Sequence, residues 1–208
     1  MKRKLIAMDL DGTAVDAAGR LAPGVKEAIA AARAQGHMVA FVTGRADTDM
    51  APLDCEYDFV DYLILNNGAK LVCGRDGRVL DNEVLNRDEV ERLIRFCQEQ
   101  GVALRAVISE PGCVDVMNPG INKWNGLEAL LRLIRMERED VVAIGDYDND
   151  LEMILQSGIG VAVGNARECV KAGADYVTVR DNEAGAAADA INELVLGAAS
   201  GLCLKNGI

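Results

Sequence analysis

Leu5-Ile6-Ala7-Met8-Asp9-Leu10-Asp11-Gly12-Thr13 is the stretch around which the rest of the chain is read. Its first four residues are an apolar run of strand length, and two aspartates follow with a single residue between them. A run of that kind reads as a buried parallel strand, which places both carboxylates at its C-terminal end, in the mouth where open α/β sheets bind ligands. Like charges at such range require either a divalent cation to keep both ionised or a proton shared for acid/base work. Gly12 lets the backbone turn sharply beside a ligand, and Thr13 adds a hydroxyl. Asp-Gly is also ordinary turn chemistry, so the meaning of the pair depends on what the remaining residues supply.

Working outward, Val25, Ala28, Ile29 and Ala32 recur at helical spacing and close at Gly36. A continuous apolar run over 38–42 predicts a second buried strand that ends in Thr43-Gly44-Arg45. The single histidine, His37, opens that strand and has no catalytic partner in sequence view, so it reads as structural. A short helical segment from Asp47 leads to a third strand over 62–65, which exits into Asn66-Asn67-Gly68-Ala69. Segments 69–73 and 78–80 flank Gly74-Arg75-Asp76-Gly77 and read as a hairpin. A helix from Asn86 to Gly101 and two antiparallel strands, 102–108 and 113–117, then interrupt an otherwise alternating βα chain, so they read as an insertion. The alternation resumes with a helix over 124–135, strands over 141–144, 159–163 and 176–179, and helices over 151–155, 166–172 and 183–196; residues 200–208 carry no signal.

Composition narrows the class. The chain has 208 residues, half of them apolar and few aromatic, with 21 glycines, as suits aliphatic strands and glycine-bearing loops. A formal charge of -11 argues against nucleic acid or anionic membrane as partner, and any anionic substrate must be met by a local cation. The six cysteines form no C-x-x-C pair and read as free, mostly buried thiols of a cytoplasmic protein. Only four apolar residues separate Lys2-Arg3-Lys4 from Asp9, too few for a signal-peptide core, and no run approaches the roughly 20 residues of a membrane span.

Four predicted strand or helix ends now carry polar groups toward one mouth: Asp9 and Asp11; Thr43 and Gly44; Lys123; and Asp146 with Asn149 and Asp150. That set contains what phosphoryl transfer needs, namely a carboxylate nucleophile, a second carboxyl, acidic metal ligands, donors for phosphate oxygens and a cation. The stretches Asp9-Leu10-Asp11-Gly12-Thr13, Thr43-Gly44-Arg45, Lys123 and Gly145-Asp146-Tyr147-Asp148-Asn149-Asp150 resemble motifs one to four of the haloacid dehalogenase (HAD) superfamily, in its Cof-like type-IIB phosphatase branch. Further likeness lies in Asn67-Gly68-Ala69, Gly164-Asn165-Ala166 and Asn182-Glu183-Ala184-Gly185. The resemblance implies a Rossmannoid doubly wound, mostly parallel sheet formed by residues 1–81 and 119–208, with a reduced type-II cap over 82–118.

It further implies a Mg2+-dependent phosphomonoester hydrolase acting on a small phosphorylated metabolite, such as a sugar phosphate or phosphoglycolate-like compound. Asp9 would be the nucleophile and Asp11 the acid/base; Asp9, the Asp11 carbonyl and Asp146 would bind the metal, with Asp150 supporting it. Thr43, Gly44, Lys123 and Asn149 would hold the phosphoryl oxygens, and Arg45, beside Thr43-Gly44, is a candidate substrate contact. The alternatives are a phosphomutase of the same fold, a phospho-accepting signalling module and a non-catalytic binding protein. Two departures stand out. Trp124 follows Lys123 where the family has glycine and either staples its helix to the core or lines the mouth. The cap is short for the branch, which implies a large leaving group or a neighbouring subunit that covers the site.

Overall fold

The computed structural model describes residues 2–46, 50, 59–83, 121–198, the backbone of 202–204, and helical positions between 88 and 100 that include Asp88, Glu91, Arg92, Arg95, Phe96 and Glu99. Among the described residues nine strands form one sheet: β1 (Leu5–Met8), β2 (Met38–Val42), β3 (Tyr62–Leu65), β4 (Lys70–Cys73), β5 (Val79–Asn82), β6 (Val141–Gly145), β7 (Ile159–Ala162), β8 (Tyr176–Thr178) and β9 (Leu202–Leu204). Their order is β5-β4-β3-β2-β1-β6-β7-β8-β9. The six strands from β3 to β8 in that order are mutually parallel, and β4, β5 and β9 extend the edges in antiparallel pairing.

Apolar content explains which strands lie inside. Every residue of β1, β2 and β6 is buried, as continuous aliphatic runs covered on both faces must be. Helix α1 (Val25–Ala34) buries Val25, Ala28, Ile29 and Ala32, the stripe its spacing predicts. It packs on α5 (Ala186–Leu194), whereas α2 (Lys123–Ile134) packs on α3 (Leu151–Gln156), and α3 on α4 (Glu168–Gly173). Successive crossovers leave β1 toward β2 and β3 on one side and run from β6 to β7 and β8 on the other; right-handed connections in opposite directions put the two helix groups on opposite faces. The order reverses beside β1, and that switch point is where the first acid pair leaves the sheet.

The hairpin at Gly74–Gly77 joins the main sheet through β4, as its alternation predicts. The segment after Asp47 and the expected strands over 102–108 and 113–117 lie outside the described residues. Helical positions from Asp88 to Glu99, with the Gln100 N–H donating to the Phe96 carbonyl at 3.0 Å, agree with the expected helix there. Two expectations need correction. The closing helix is shorter than 183–196, because Gly185 adopts a left-handed φ of 89° immediately before it. Residues 202–204 form an edge strand against β8, invisible beforehand because three residues give no periodicity. Of the expected free, mostly buried thiols, the two described are free and neither is fully buried, Cys73 being half-buried and Cys169 exposed; the other four side chains lie outside the described residues.

His37 is structural. Its Nδ1 accepts the Lys4 N–H at 3.0 Å, its Nε2 is buried with no hydrogen-bond partner, and burial holds its pKa below the ordinary 6.5. Trp124 is partly buried and packs against the core. No helix among the described residues is long and apolar enough to cross a membrane.

Candidate active site

Register brings the polar groups together. Met8 pairs with Phe41 on β2 and with Ile144 on β6, so Asp9 stands one step beyond both partners and close to Thr43 and Asp146 at the same sheet edge. The Asp9 N–H donates to the Ile144 carbonyl at 2.9 Å and the Thr43 N–H to the Ile64 carbonyl at 2.9 Å, which ties both strand ends into the sheet. Gly12 turns the loop after β1 with a φ of 74°, and a side chain there would collide with the Asp146 carboxylate. Glycine is therefore required on two counts, backbone conformation and close approach to an acid.

Lys123 occupies the first turn of α2, whose cap is Asn122; the Asn122 side chain accepts the Asn125 N–H at 2.8 Å. The Lys123 ammonium is almost fully buried and donates to Asp9 at 2.5 Å and to Asp150 at 2.6 Å. The other Asp150 oxygen accepts the N–H groups of Asp146 at 2.9 Å and Tyr147 at 3.0 Å, which shapes the loop after β6. Asp146 accepts the Thr13 hydroxyl at 3.0 Å, and its carbonyl accepts the Arg167 N–H at 2.9 Å. Carboxylate oxygens of Asp9, Asp146 and Asp150 lie within 4.8 Å of one another.

Three acids against one ammonium leave this pocket short of positive charge. Burial, followed by the Asp150 charge, raises the Asp9 pKa well above its usual range and lifts Asp146 to about 6. Burial alone would lower Lys123, but the Asp150 and Asp9 carboxylates outweigh it and raise its pKa.

The remaining candidates fall around this group. Asp11 turns outward: Arg45 binds both of its carboxylate oxygens, Nε at 2.8 Å and Nη2 at 2.5 Å. The Thr43 hydroxyl oxygen accepts the Arg45 N–H at 3.1 Å, and Gly44 lies between them, half-buried. Asn149 donates its side-chain amide to Asn67 Oδ1 at 3.0 Å.

The family pattern of the haloacid dehalogenase-like hydrolases matches residues 6–108 and 101–191, nearly the whole described chain. The chain belongs to that family. Within it the chain falls in the Cof-like branch of the HAD superfamily and is a phosphatase. It is 26% identical over 232 aligned positions to a 5-amino-6-(5-phospho-D-ribitylamino)uracil phosphatase of Bacillus subtilis, covering 88% of this chain and 93% of that one. To a phosphoglycolate phosphatase of Methanothermobacter thermautotrophicus it is 28% identical over 204 positions, covering 84% and 91%. A solved haloacid dehalogenase-like hydrolase from Bacteroides thetaiotaomicron superposes with a TM-score of 0.80 at 25% identity, covering 93% of this chain and all of that one.

Polar residues outside the acid cluster hold the loop after β1 of this HAD phosphatase. Asn182 donates its side-chain amide to the Val15 carbonyl at 2.8 Å, and its N–H goes to Asn165 Oδ1 at 2.9 Å. Asn165 in turn donates to the Gly12 carbonyl at 2.8 Å, and Glu183 accepts the Ala17 N–H at 2.7 Å. The Gly164-Asn165-Ala166 and Asn182-Glu183 stretches thus clamp the loop that carries Asp11. Asn67 is buried in left-handed backbone with a φ of 54°. Its signals in the sequence are Asn-Asn-Gly at a strand end, a composition that tolerates such a turn, and the likeness of Asn67-Gly68-Ala69 to the family.

Proposed function

We propose that this chain is a Mg2+-dependent phosphomonoester hydrolase that works through an aspartyl phosphate on Asp9. The observation that carries the reading is the buried Asp9–Lys123–Asp150 array with Asp146 beside it. HAD phosphatases generally use a metal, and the donor set fits one: hard oxygens, more negative than positive, with raised proton affinity at Asp9 and Asp146. Asp9, Asp146 and the Asp11 carbonyl would hold it, with Asp150 positioning them through the Asp146 N–H. Bound there, the cation neutralises charge on the carboxylate and the phosphoryl oxygens.

The residues then divide the work. An Asp9 oxygen forms a bond to phosphorus as the ester P–O bond breaks, and the departing oxygen takes a proton from the Asp11 carboxyl. Water next attacks the phosphorus, the Asp11 carboxylate accepts its proton, and inorganic phosphate leaves with Asp9 restored. Lys123, Thr43, Asn149 and the Gly44 N–H hold the phosphoryl oxygens. The named activities of the relatives support a small metabolite, a sugar phosphate or phosphoglycolate-like compound, as substrate. In this reading residues 1–81 and 119–208 act as the catalytic core and 82–118 as the reduced cap of a cytoplasmic enzyme, and the short cap is met either by a large leaving group or by a second copy of the chain that covers the site.

Asp9→Asn tests the reading. It removes the nucleophile while keeping size and hydrogen bonding, so turnover of 4-nitrophenyl phosphate with Mg2+ should be lost and the circular dichroism spectrum unchanged. Appreciable residual turnover would remove Asp9 from its role.

A further inference from the structure

Asn67, in the turn after β3, is 4% exposed and holds a left-handed backbone with φ 54° and ψ 30°. Glycine satisfies such a backbone as readily as asparagine does, so what this residue adds is its amide. The Asn67 Oδ1 accepts one N–H of the Asn149 side chain at 3.0 Å, across 82 residues of sequence. Its own N–H donates to the Thr43 carbonyl at 3.0 Å. The next residue, Gly68, lies so close to the carbonyl of Asn122, the cap of α2, that a Cβ there would collide with it. One turn therefore touches the three segments that carry Thr43, Asn149 and Lys123, all assigned above to the phosphoryl oxygens.

The contact with Asn149 has a chemical consequence. A side-chain amide carries two N–H donors on nitrogen and an acceptor oxygen of similar size, and a half-turn exchanges them. Only the nitrogen end can bond a phosphoryl oxygen; the oxygen end repels it. An acceptor fixed beside the amide decides between the two orientations, because the Asn67 oxygen attracts the nitrogen of Asn149 and repels its oxygen. One N–H of Asn149 is then spent on Asn67, and the second is left to donate. We infer that Asn67 is a positioning residue for phosphoryl binding, acting through Asn149 by holding the amide nitrogen toward the phosphoryl group. The inference rests on the phosphatase reading, in which Asn149 touches the phosphoryl group and Asn67 does not.

The test is a double-variant cycle on the full chain with Mg2+, read as the Ki of inorganic phosphate against turnover of 4-nitrophenyl phosphate. Asn149→Ala should raise that Ki by about tenfold, the scale of one charge-assisted hydrogen bond. Asn67→Gly keeps the left-handed turn and the N–H to Thr43 and removes only the amide, so it should raise the Ki by most of the same factor. Added to Asn149→Ala, it should raise the Ki no further, to within about twofold. A merely structural role would add its whole factor in both backgrounds, and that result would overturn the inference, as would an unchanged Ki in either single variant. Failure of the wild type to hydrolyse 4-nitrophenyl phosphate would instead overturn the phosphatase reading. If Asn67→Gly does not fold by circular dichroism, Asn67→Asp decides. It keeps the turn and turns the acceptor into a carboxylate, which Asn149→Ala then strips of its donor beside the phosphate. Asn149→Ala should therefore raise the Ki by a larger factor there than in the wild type, and an equal factor would overturn the role of Asn67.

Discussion

Lys123 is the residue on which the pocket balances. An almost fully buried ammonium between two carboxylates is stable only as a set, since removing one member leaves uncompensated charge in a poorly solvated place. Lys123→Met should therefore destabilise the protein by about 3–5 kcal/mol in urea unfolding, the usual scale for breaking a buried pair. Asp150→Asn added to it removes one of the stranded charges and should recover part of that loss; a double variant no more stable than Lys123→Met would refute the balance. The sequence made Lys123 legible as a cation at a helix start and Asp150 as an acid in a later loop. That they pair was not legible, because Lys123 and Asp9 are 114 residues apart and meet only when β1 and α2 occupy one mouth. The same holds for Arg45, read as a contact for substrate and found holding Asp11.

At the scale of elements, the position of α2 depends on a glycine–glycine contact. A Cβ on Gly126 would come within 2.6 Å of the Gly68 Cα and 2.7 Å of Ile64 Cγ2, so α2 lies directly against the turn Asn66–Gly68 that follows β3. This contact brings the first turn of α2, and with it Lys123, down onto Asp9. Gly126→Ala gains helix propensity, about 1 kcal/mol, but overpacks this seam at about 1–3 kcal/mol. The expected outcome is a net loss of stability together with a fall in kcat, as the ammonium is lifted from its carboxylates. A variant with higher stability and full activity would show that the seam has slack. Helical and strand periodicity made most elements readable, from Val25–Ala34 to Leu127, Leu130 and Leu131 on α2. The seam was not readable, because a glycine in a helix looks the same in sequence whether it faces solvent or a neighbouring turn.

Across the whole molecule, the acid cluster links protons to stability and, in the proposed function, to the metal. The folded-state pKa values of Asp9 and Asp146 are raised, first by burial and then by the Asp150 charge. Their contribution to stability is therefore full below the unfolded value of 3.8 and is lost as pH rises through about 6 for Asp146. In the proposed Mg2+ site the cation would take the place of protons on the same oxygens, so its stabilising effect should be small near the lower value and grow toward neutrality. At a hundredfold excess over Kd it would reach about 2.7 kcal/mol, several degrees in Tm. Thermal melts with Mg2+ and with chelator across that range read this directly. His37, whose pKa is shifted the other way, cancels in the difference because it lies outside the cluster. A Tm gain that shrinks as pH rises would exclude these acids as the metal site.

By itself the sequence determined the alternating α/β plan, the central strand and the identity and order of the chemical groups at the strand ends. These follow from local periodicity and from the rule that charge does not stay inside an aliphatic run. Only the tertiary structure decided the partners: Lys123 with Asp9 and Asp150, Arg45 with Asp11, Asn182 and Asn165 with the loop after β1, and β9 with β8. Those pairings depend on strand register, helix seating and side-chain rotamers that no single segment encodes.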